Sequence, residues 1–235
     1  MKARKTLNVE MLAVVARGLS GLKEKFVFVG GATIDLYLSD PTAAEARATD
    51  DVDCVVELAR RSQYYGLEEE LRGLGFKHST DKDASVCRWE FHGIQVDVMP
   101  TEGGILGFKN RWYADGVAEA GTARLPDGQD VAVLTVPYLV ASKIEAFLDR
   151  GKDDFLASPD MEDIVAVIDG CPELKGEVLR APAELRSYLA ERFKSFLADR
   201  RFVEAVHGHI RITEKGVDRV GRALAVISEI ATAAA

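Results

Sequence analysis

Cysteine is scarce. Cys54, Cys87 and Cys171 are the only three in 235 residues, and no two stand in a CxxC spacing. That excludes the common zinc-binding patterns and a disulfide framework, and isolated thiols fit a reducing compartment. Long apolar runs are missing too. No stretch approaches the ~20 apolar residues that a membrane-crossing helix needs. The basic start (Lys2, Arg4, Lys5) leads into no apolar core of a secretory signal, so a cytoplasmic protein without a membrane partner is expected. Neither a GxxxxGK[ST] loop nor a GxGxxG turn occurs, which removes the P-loop and dinucleotide-binding classes. His78 and His92 lie near strand ends without a nucleophile motif, so no Ser-His-Asp arrangement is indicated. There is no internal repeat and no low-complexity segment.

What is present is ordinary globular material. Hydrophobic residues make up 47% and charged residues 29%, enough for a core without staples. The net charge of −8 is unevenly spread: residues 180–222 hold ten Lys/Arg against six Asp/Glu, and the remainder holds 20 against 32. An acidic front and a basic back suit metal-binding carboxylates and a nucleic-acid backbone. Solvated faces of amphipathic helices are the competing reading of the basic stretch.

Met11, Leu12, Val15, Leu19 and Leu22 recur at helical spacing and predict a helix over 9–24. Phe26 to Val29 predicts a buried strand ending in Gly30-Gly31, then a short helix through Ile34, Leu36 and Leu38 that stops at Ser39-Asp40-Pro41. Asp51 to Glu57 predicts a strand and 60–73 a helix closed by Gly73 and Gly75. Residues 86–91 and 94–99 predict antiparallel strands joined by His92-Gly93. A helix over 108–119 and a hairpin over Pro126-Asp127-Gly128 follow. Pro137 opens a helix to about Arg150, and further helices are expected over 159–169, 182–206 and 214–230. The fold class is therefore α/β (α+β): a mixed-sheet domain over residues 1–135, then a helical half over 136–235.

Alternate residues of a strand share a face, so Asp51 and Asp53 point the same way while Val52 and Cys54 point into packing. Asp50 faces oppositely. Two adjacent carboxylates repel unless a cation lies between them, and Mg²⁺ takes a few carboxylates plus phosphate and water. Asp97 is a lone acid in the apolar strand Ile94-Gln95-Val96-Asp97-Val98-Met99, costly there unless paired or metal-bound. If that strand lies beside the first, all three carboxylates share one surface. Gly30-Gly31 ends a strand and precedes a helix, where a backbone can approach a phosphate. A solvent-facing strand end, a structural charge pair and a plain turn are the alternatives.

The pattern Val29-Gly30-Gly31, then Arg47-x-Thr49-x-Asp51-Val52-Asp53, then Val96-Asp97-Val98 resembles the nucleotidyltransferase superfamily of the polymerase-β type. It is closer to the toxin component of AbiE-type abortive-infection and type IV toxin–antitoxin systems, with the later Ser142-Lys143-Ile144-Glu145, Arg150, Asp160 and Asp163 resembling that group's helix motif. The likeness covers about residues 26 to 168. Several relatives carry an Arg-Asp pair where this chain reads Gly151-Lys152-Asp153-Asp154, which leaves the last carboxylate among Asp154, Asp160 and Asp163, with Asp163 favoured.

The resemblance implies that residues 1–135 are the catalytic domain and 136–235 a helical domain completing the cleft. It implies Asp51, Asp53 and Asp97 as ligands of Mg²⁺ (Mn²⁺ being the alternative), with Asp97 beside the acceptor hydroxyl. It assigns Gly30, Gly31, Arg47, Thr49, Lys143 and Asp163 to the nucleotide, Lys143 as a point charge on the triphosphate. The implied function is a toxin-like transfer of nucleotides from an NTP to RNA, tRNA being the candidate acceptor, with pyrophosphate release and a cognate antitoxin as partner. A small-molecule (antibiotic or sugar) nucleotidyltransferase and a non-catalytic nucleotide-binding regulator are the alternatives. His207-Gly208-His209 lacks a third ligand and reads as surface. Trp89, Phe91, Trp112 and Tyr113 could stack a base, but core packing is the better reading.

Overall fold

Phe26–Val29 forms a strand, β1, with all four residues buried. In the computed structural model, residues 5–58, 60–80, 84–102, 110–210 and 218–233 are described. The chain divides into two units, Met1–Leu36 with Ala48–Thr135, and Tyr37–Arg47 with Val136–Ala235.

The first unit is built on a seven-stranded mixed sheet in the order β3-β4-β5-β2-β1-β7-β6. The strands are β2 (Asp51–Val56), β3 (Lys77–His78), β4 (Arg88–Phe91), β5 (Ile94–Pro100), β6 (Gly121–Arg124) and β7 (Asp130–Val133). β2 runs antiparallel to β1 and parallel to β5, placing Asp53 opposite Asp97. The turn between β4 and β5 carries His92 at φ 52 and Gly93 at φ 78, the positive angles that a tight two-residue hairpin demands. Val52, Cys54, Trp89, Val96 and Val98 are wholly buried.

The first helix, α1 (Leu7–Leu19), is capped by Thr6, whose hydroxyl accepts from Val9 N. It stops before residue 24, where the apolar spacing had carried it. Ser20 turns its hydroxyl back to the Arg17 carbonyl at 2.7 Å, and Gly21 follows. Leu22 is therefore an apolar residue of the turn rather than of the helix. Gly31–Leu36 is a single 3-10 segment, α2 spans Arg61–Gly73 and α3 spans Tyr113–Ala118. The helix expected over 108–119 thus begins at Tyr113; residues 108 and 109 lie outside the described residues.

The second unit is helical: α4 (Val136–Arg150), α5 (Pro159–Gly170), α6 (Leu174–Arg180), α7 (Ala183–Leu197), α8 (Arg200–His209) and α9 (Arg219–Thr232). The single helix expected over 182–206 is two. Asp199 adopts an extended backbone and accepts from Arg201 N at 2.9 Å, which ends α7 and starts α8. α6 escaped the periodicity because it is short and anchored by two buried apolar residues, Leu174 and Val178. Of the helix expected over 214–230, residues 214–217 lie outside the described residues and the rest falls in α9. Phe147, Phe155, Phe196 and Phe202 meet ring to ring, with centroids 5.0–5.9 Å apart.

Tyr37–Arg47 packs with these helices although sequence order places it inside the first half. Arg219, 3% exposed, explains the attachment. Its guanidinium forks onto Asp169 (3.0 and 2.8 Å) and reaches Thr42 Oγ (2.6 Å) and Asp40 (3.3 Å). Asp40 N also donates to the Gly170 carbonyl. A methyl at Gly170 would run into Leu38, so a glycine is what lets this segment lie against α5. No helix among the described residues is long and apolar enough to cross a membrane.

Candidate active site

Three carboxylates converge in the first unit. Asp51 and Asp53 alternate along β2, β5 lies beside it in parallel, and Asp53 and Asp97 are register partners. One oxygen from each of Asp51, Asp53 and Asp97 lies within 4.8 Å of the others. Three hard oxygen donors at that separation fit a hard divalent cation. Among the described residues no other three Asp, Glu, His or Cys side chains gather this way.

Neighbouring residues fix the orientation of these acids. Thr49 donates its hydroxyl to Asp51 Oδ1 at 2.9 Å, and its own N–H is held by Asn8 Oδ1 at 3.1 Å. Asp51 Oδ1 is thus tied through Thr49 to Asn8 of α1. Gly30 has φ 73. A Cβ there would collide with the Asp53 carboxylate, so only glycine lets the turn after β1 pass so close to the site. Gly31 is buried at the start of the 3-10 segment.

One member was missed in the sequence. Arg88 forks onto Asp97, Nε to Oδ1 at 2.8 Å and Nη2 to Oδ2 at 2.7 Å, and the same Nη2 reaches Asp51 Oδ2 at 3.0 Å. Its hydrogen bond to Asp97, then the charges of Asp97, Asp51 and Asp53, hold it protonated more firmly than an ordinary arginine, against the opposing effect of burial. The signal was available. Counting back from the His92-Gly93 turn pairs Phe91 with Ile94 and Arg88 with Asp97.

The cysteines are no rival chemistry. Burial first, then the charges of Asp53 and Asp97, push the Cys54 thiol far up. Burial likewise raises Cys87 to about 11 and Cys171 to about 12. All three remain thiols at neutral pH.

The second unit holds its own charged cluster. Lys143 on α4 is 6% exposed, Asp160 and Asp163 on α5 are 2% and 1% exposed. Lys143 Nζ lies 2.6 Å from Asp163 Oδ2 and 3.1 Å from Asp160 Oδ1. Arg47 forks onto Asp163 at 3.0 and 3.2 Å, and Arg150 forks onto Asp160 at 2.8 and 2.9 Å. Residues three apart share a helix face, and Ser158 caps α5 by accepting from Met161 N, so the cap and the i, i+3 spacing present both acids together. Burial raises the Asp160 pKa, yet the Arg150 hydrogen bond and the Lys143 charge outweigh it and leave the group below its ordinary value. Asp154, exposed, instead accepts from Leu156 N and Ala157 N in the preceding turn. Of the three carboxylates left open by the sequence, Asp160 and Asp163 share Lys143 and Asp154 does not.

The remaining candidates are structural. Trp89 and Trp112 are 0% and 2% exposed, and Phe91 and Tyr113 are also buried. His209 Nε2 donates to the Phe155 carbonyl at 2.8 Å, while His207 is exposed. Within the basic stretch, Arg200 and Arg201 pair with Glu204 and Asp199, and Arg219 is the buried clamp on Asp169.

No protein-family model matches the chain, and no curated protein matches it. Solved structures do. An antigenic nucleotidyltransferase-like protein from Paracoccidioides brasiliensis is 18% identical over 91% of this chain and 98% of that one, with a TM-score of 0.51. The antibiotic-resistance factor ANT(2'')-Ia is 16% identical over 83% of this chain and 97% of that one, at a TM-score of 0.47, too low to establish a common fold. The chain has a nucleotidyltransferase-like fold, and its mixed sheet carries an acidic triad with the chemistry of a metal site.

Proposed function

We propose that the protein is a divalent-metal-dependent nucleotidyltransferase that moves a nucleotidyl group from an NTP to an RNA acceptor, tRNA being the candidate. The observation that carries this reading is the convergence of Asp51, Asp53 and Asp97 on adjacent strands of a nucleotidyltransferase-like fold. These three acids would hold Mg²⁺ or Mn²⁺. When bound, such an ion neutralises phosphate oxygens and acidifies a coordinated hydroxyl.

The chain's own residues divide the remaining work. Thr49 fixes the rotation of Asp51 through its 2.9 Å bond. Gly30 keeps the backbone close to Asp53 without a side chain in the way. Gly30 and Gly31 leave room for triphosphate oxygens along the turn. Asp97 accepts the proton as the acceptor hydroxyl attacks the α-phosphorus in line. The bond to the β-phosphate breaks, pyrophosphate leaves, and no covalent enzyme intermediate forms. In the helical unit, Arg47, Lys143 and Arg150 outnumber Asp160 and Asp163. Lys143 and Arg47 are assigned to the phosphates of the nucleotide, and Asp163 to holding them.

RNA as acceptor rests on the toxin-like motif pattern and the basic stretch over 180–222. A toxin of this kind would be silenced by a cognate antitoxin. The test incubates the protein with Mg²⁺, total tRNA and each α-phosphate-labelled NTP in turn. Label on tRNA from one NTP supports the reading. Pyrophosphate release without RNA labelling, on adding an aminoglycoside or sugar phosphate, would move the acceptor to a small molecule.

A further inference from the structure

Arg88 is the feature of the triad that the proposed function leaves unexplained. It lies on β4, across the hairpin from Asp97, and it already does electrostatically what a metal would do. Three carboxylates with oxygens within 4.8 Å repel one another unless a positive group lies among them. Arg88 supplies one, engaging both oxygens of Asp97 and Oδ2 of Asp51. Thr49 donates to Asp51 Oδ1. Every oxygen of Asp51 and Asp97 therefore already receives a donor from the protein. A divalent ion ligated by these acids must share or take over those lone pairs, and it would lie close to a guanidinium of like charge.

We infer that Arg88 is a built-in counter-ion that keeps the triad assembled without metal, and that metal binding exchanges its bridge to Asp51 for the ion while its fork on Asp97 stays. The inference rests on the metal-site reading of the triad. The geometry chooses which contact yields. The fork on Asp97 is the shorter and is bidentate, at 2.8 and 2.7 Å, whereas the Asp51 bridge is a single contact at 3.0 Å from a nitrogen already engaged. Arg88 is also the first residue of β4 (Arg88–Phe91), with its side chain about a quarter exposed, so its head group has solvent to move toward. Two consequences follow. The metal-free protein keeps Asp51 and Asp97 in place, so chelation does not unfold it. The site is also weaker for metal than three bare carboxylates would be.

The experiment titrates Mn²⁺ into chelator-stripped full-length protein, reading free Mn²⁺ by electron paramagnetic resonance, for wild type, Arg88→Gln and Arg88→Lys. Melting temperatures are recorded in chelator and in Mg²⁺. Removing a competing charge within one side chain of the ion should tighten Mn²⁺ binding about tenfold or more in Arg88→Gln. Arg88→Lys keeps the charge and should stay near wild type. Arg88→Gln should melt lower than wild type in chelator and recover more on adding Mg²⁺. A second readout needs no variant: Mg²⁺ should shift the Arg88 Nη2–H resonance of the wild type and speed its exchange with water, while Nε–H stays protected on Asp97 Oδ1. Equal or weaker Mn²⁺ binding by Arg88→Gln, or an Arg88 Nη2–H resonance indifferent to saturating Mg²⁺, would overturn the inference while leaving the metal site standing. Absence of Mn²⁺ binding in both folded wild type and Arg88→Gln would remove the metal site itself, and the inference with it.

Discussion

Gly30→Ala separates the stability of the turn from the geometry of the site. Gly30 has φ 73, a left-handed conformation that costs an L-residue about 1–2 kcal/mol. In a chain of this size that is a fall of about 2–8 °C in Tm. The new methyl would also collide with the Asp53 carboxylate. A carboxylate is the far end of a short side chain, so it yields by rotating rather than by unfolding the strand. It then leaves the position from which it meets Asp51 and Asp97, and a displacement of about 1 Å at reacting groups costs about 100-fold in rate. Gly75→Ala is the matched control: φ there is 93, and nothing lies within 4 Å of the added methyl. Both variants should lose similar thermal stability by differential scanning fluorimetry. Only Gly30→Ala should lose activity and Mn²⁺ affinity out of proportion to its folded fraction. If Gly30→Ala retains the activity of Gly75→Ala, the placement of Asp53 in the site is wrong.

Four further outcomes are expected. Asp163→Asn strips the paired charge from both Lys143 and Arg47 at a site 1% exposed, and denaturant unfolding should show a loss of about 3–5 kcal/mol. Ser158→Ala removes the α5 cap and should cost about 1 kcal/mol by the same measurement. Asp160 titrates below its ordinary value of 3.8, so its contribution is complete above that pH and disappears as pH falls through the lower folded value. Stability measured against pH should therefore decline only below about pH 4 for this group, and Asp160→Asn should flatten that acid limb; a decline unchanged in the variant would contradict the assignment. Arg219→Met should loosen Tyr37–Arg47, seen as faster amide exchange at Asp40 and Thr42, because its guanidinium is what links them to Asp169.

Strand alternation in Asp51-Val52-Asp53 and the lone acid in Ile94–Met99 were enough to foretell which residues would share a face, because period two leaves no freedom in side-chain direction. The His92-Gly93 and Pro126-Asp127-Gly128 hairpins were legible from turn chemistry alone. Which strand would neighbour which was not: nothing local in the chain says that β2 pairs in parallel with β5, and that pairing is what brings Asp97 to Asp53. Arg88 was overlooked because an arginine in a strand reads as surface until its cross-strand partner is counted out from the turn. The break at Asp199 was hidden by apolar spacing that continues through it, from Phe193 and Phe196 to Phe202. Long-range charge pairs such as Arg47 with Asp163 join residues 116 positions apart, beyond any periodic signal.

The central claim is that Asp51, Asp53 and Asp97 form a metal-dependent nucleotidyl-transfer site. Its most direct test compares pyrophosphate release and transfer of α-phosphate label to total tRNA by wild type, Asp51→Ala and Asp97→Ala, each with Mg²⁺ and with chelator. The account predicts label from one NTP in the wild type with Mg²⁺, and none with chelator or in either variant while both remain folded. Transfer that persists in chelator or in the variants would contradict it, as would a folded wild type that binds Mg²⁺ and NTP yet releases no pyrophosphate with RNA, aminoglycoside or sugar phosphate as acceptor.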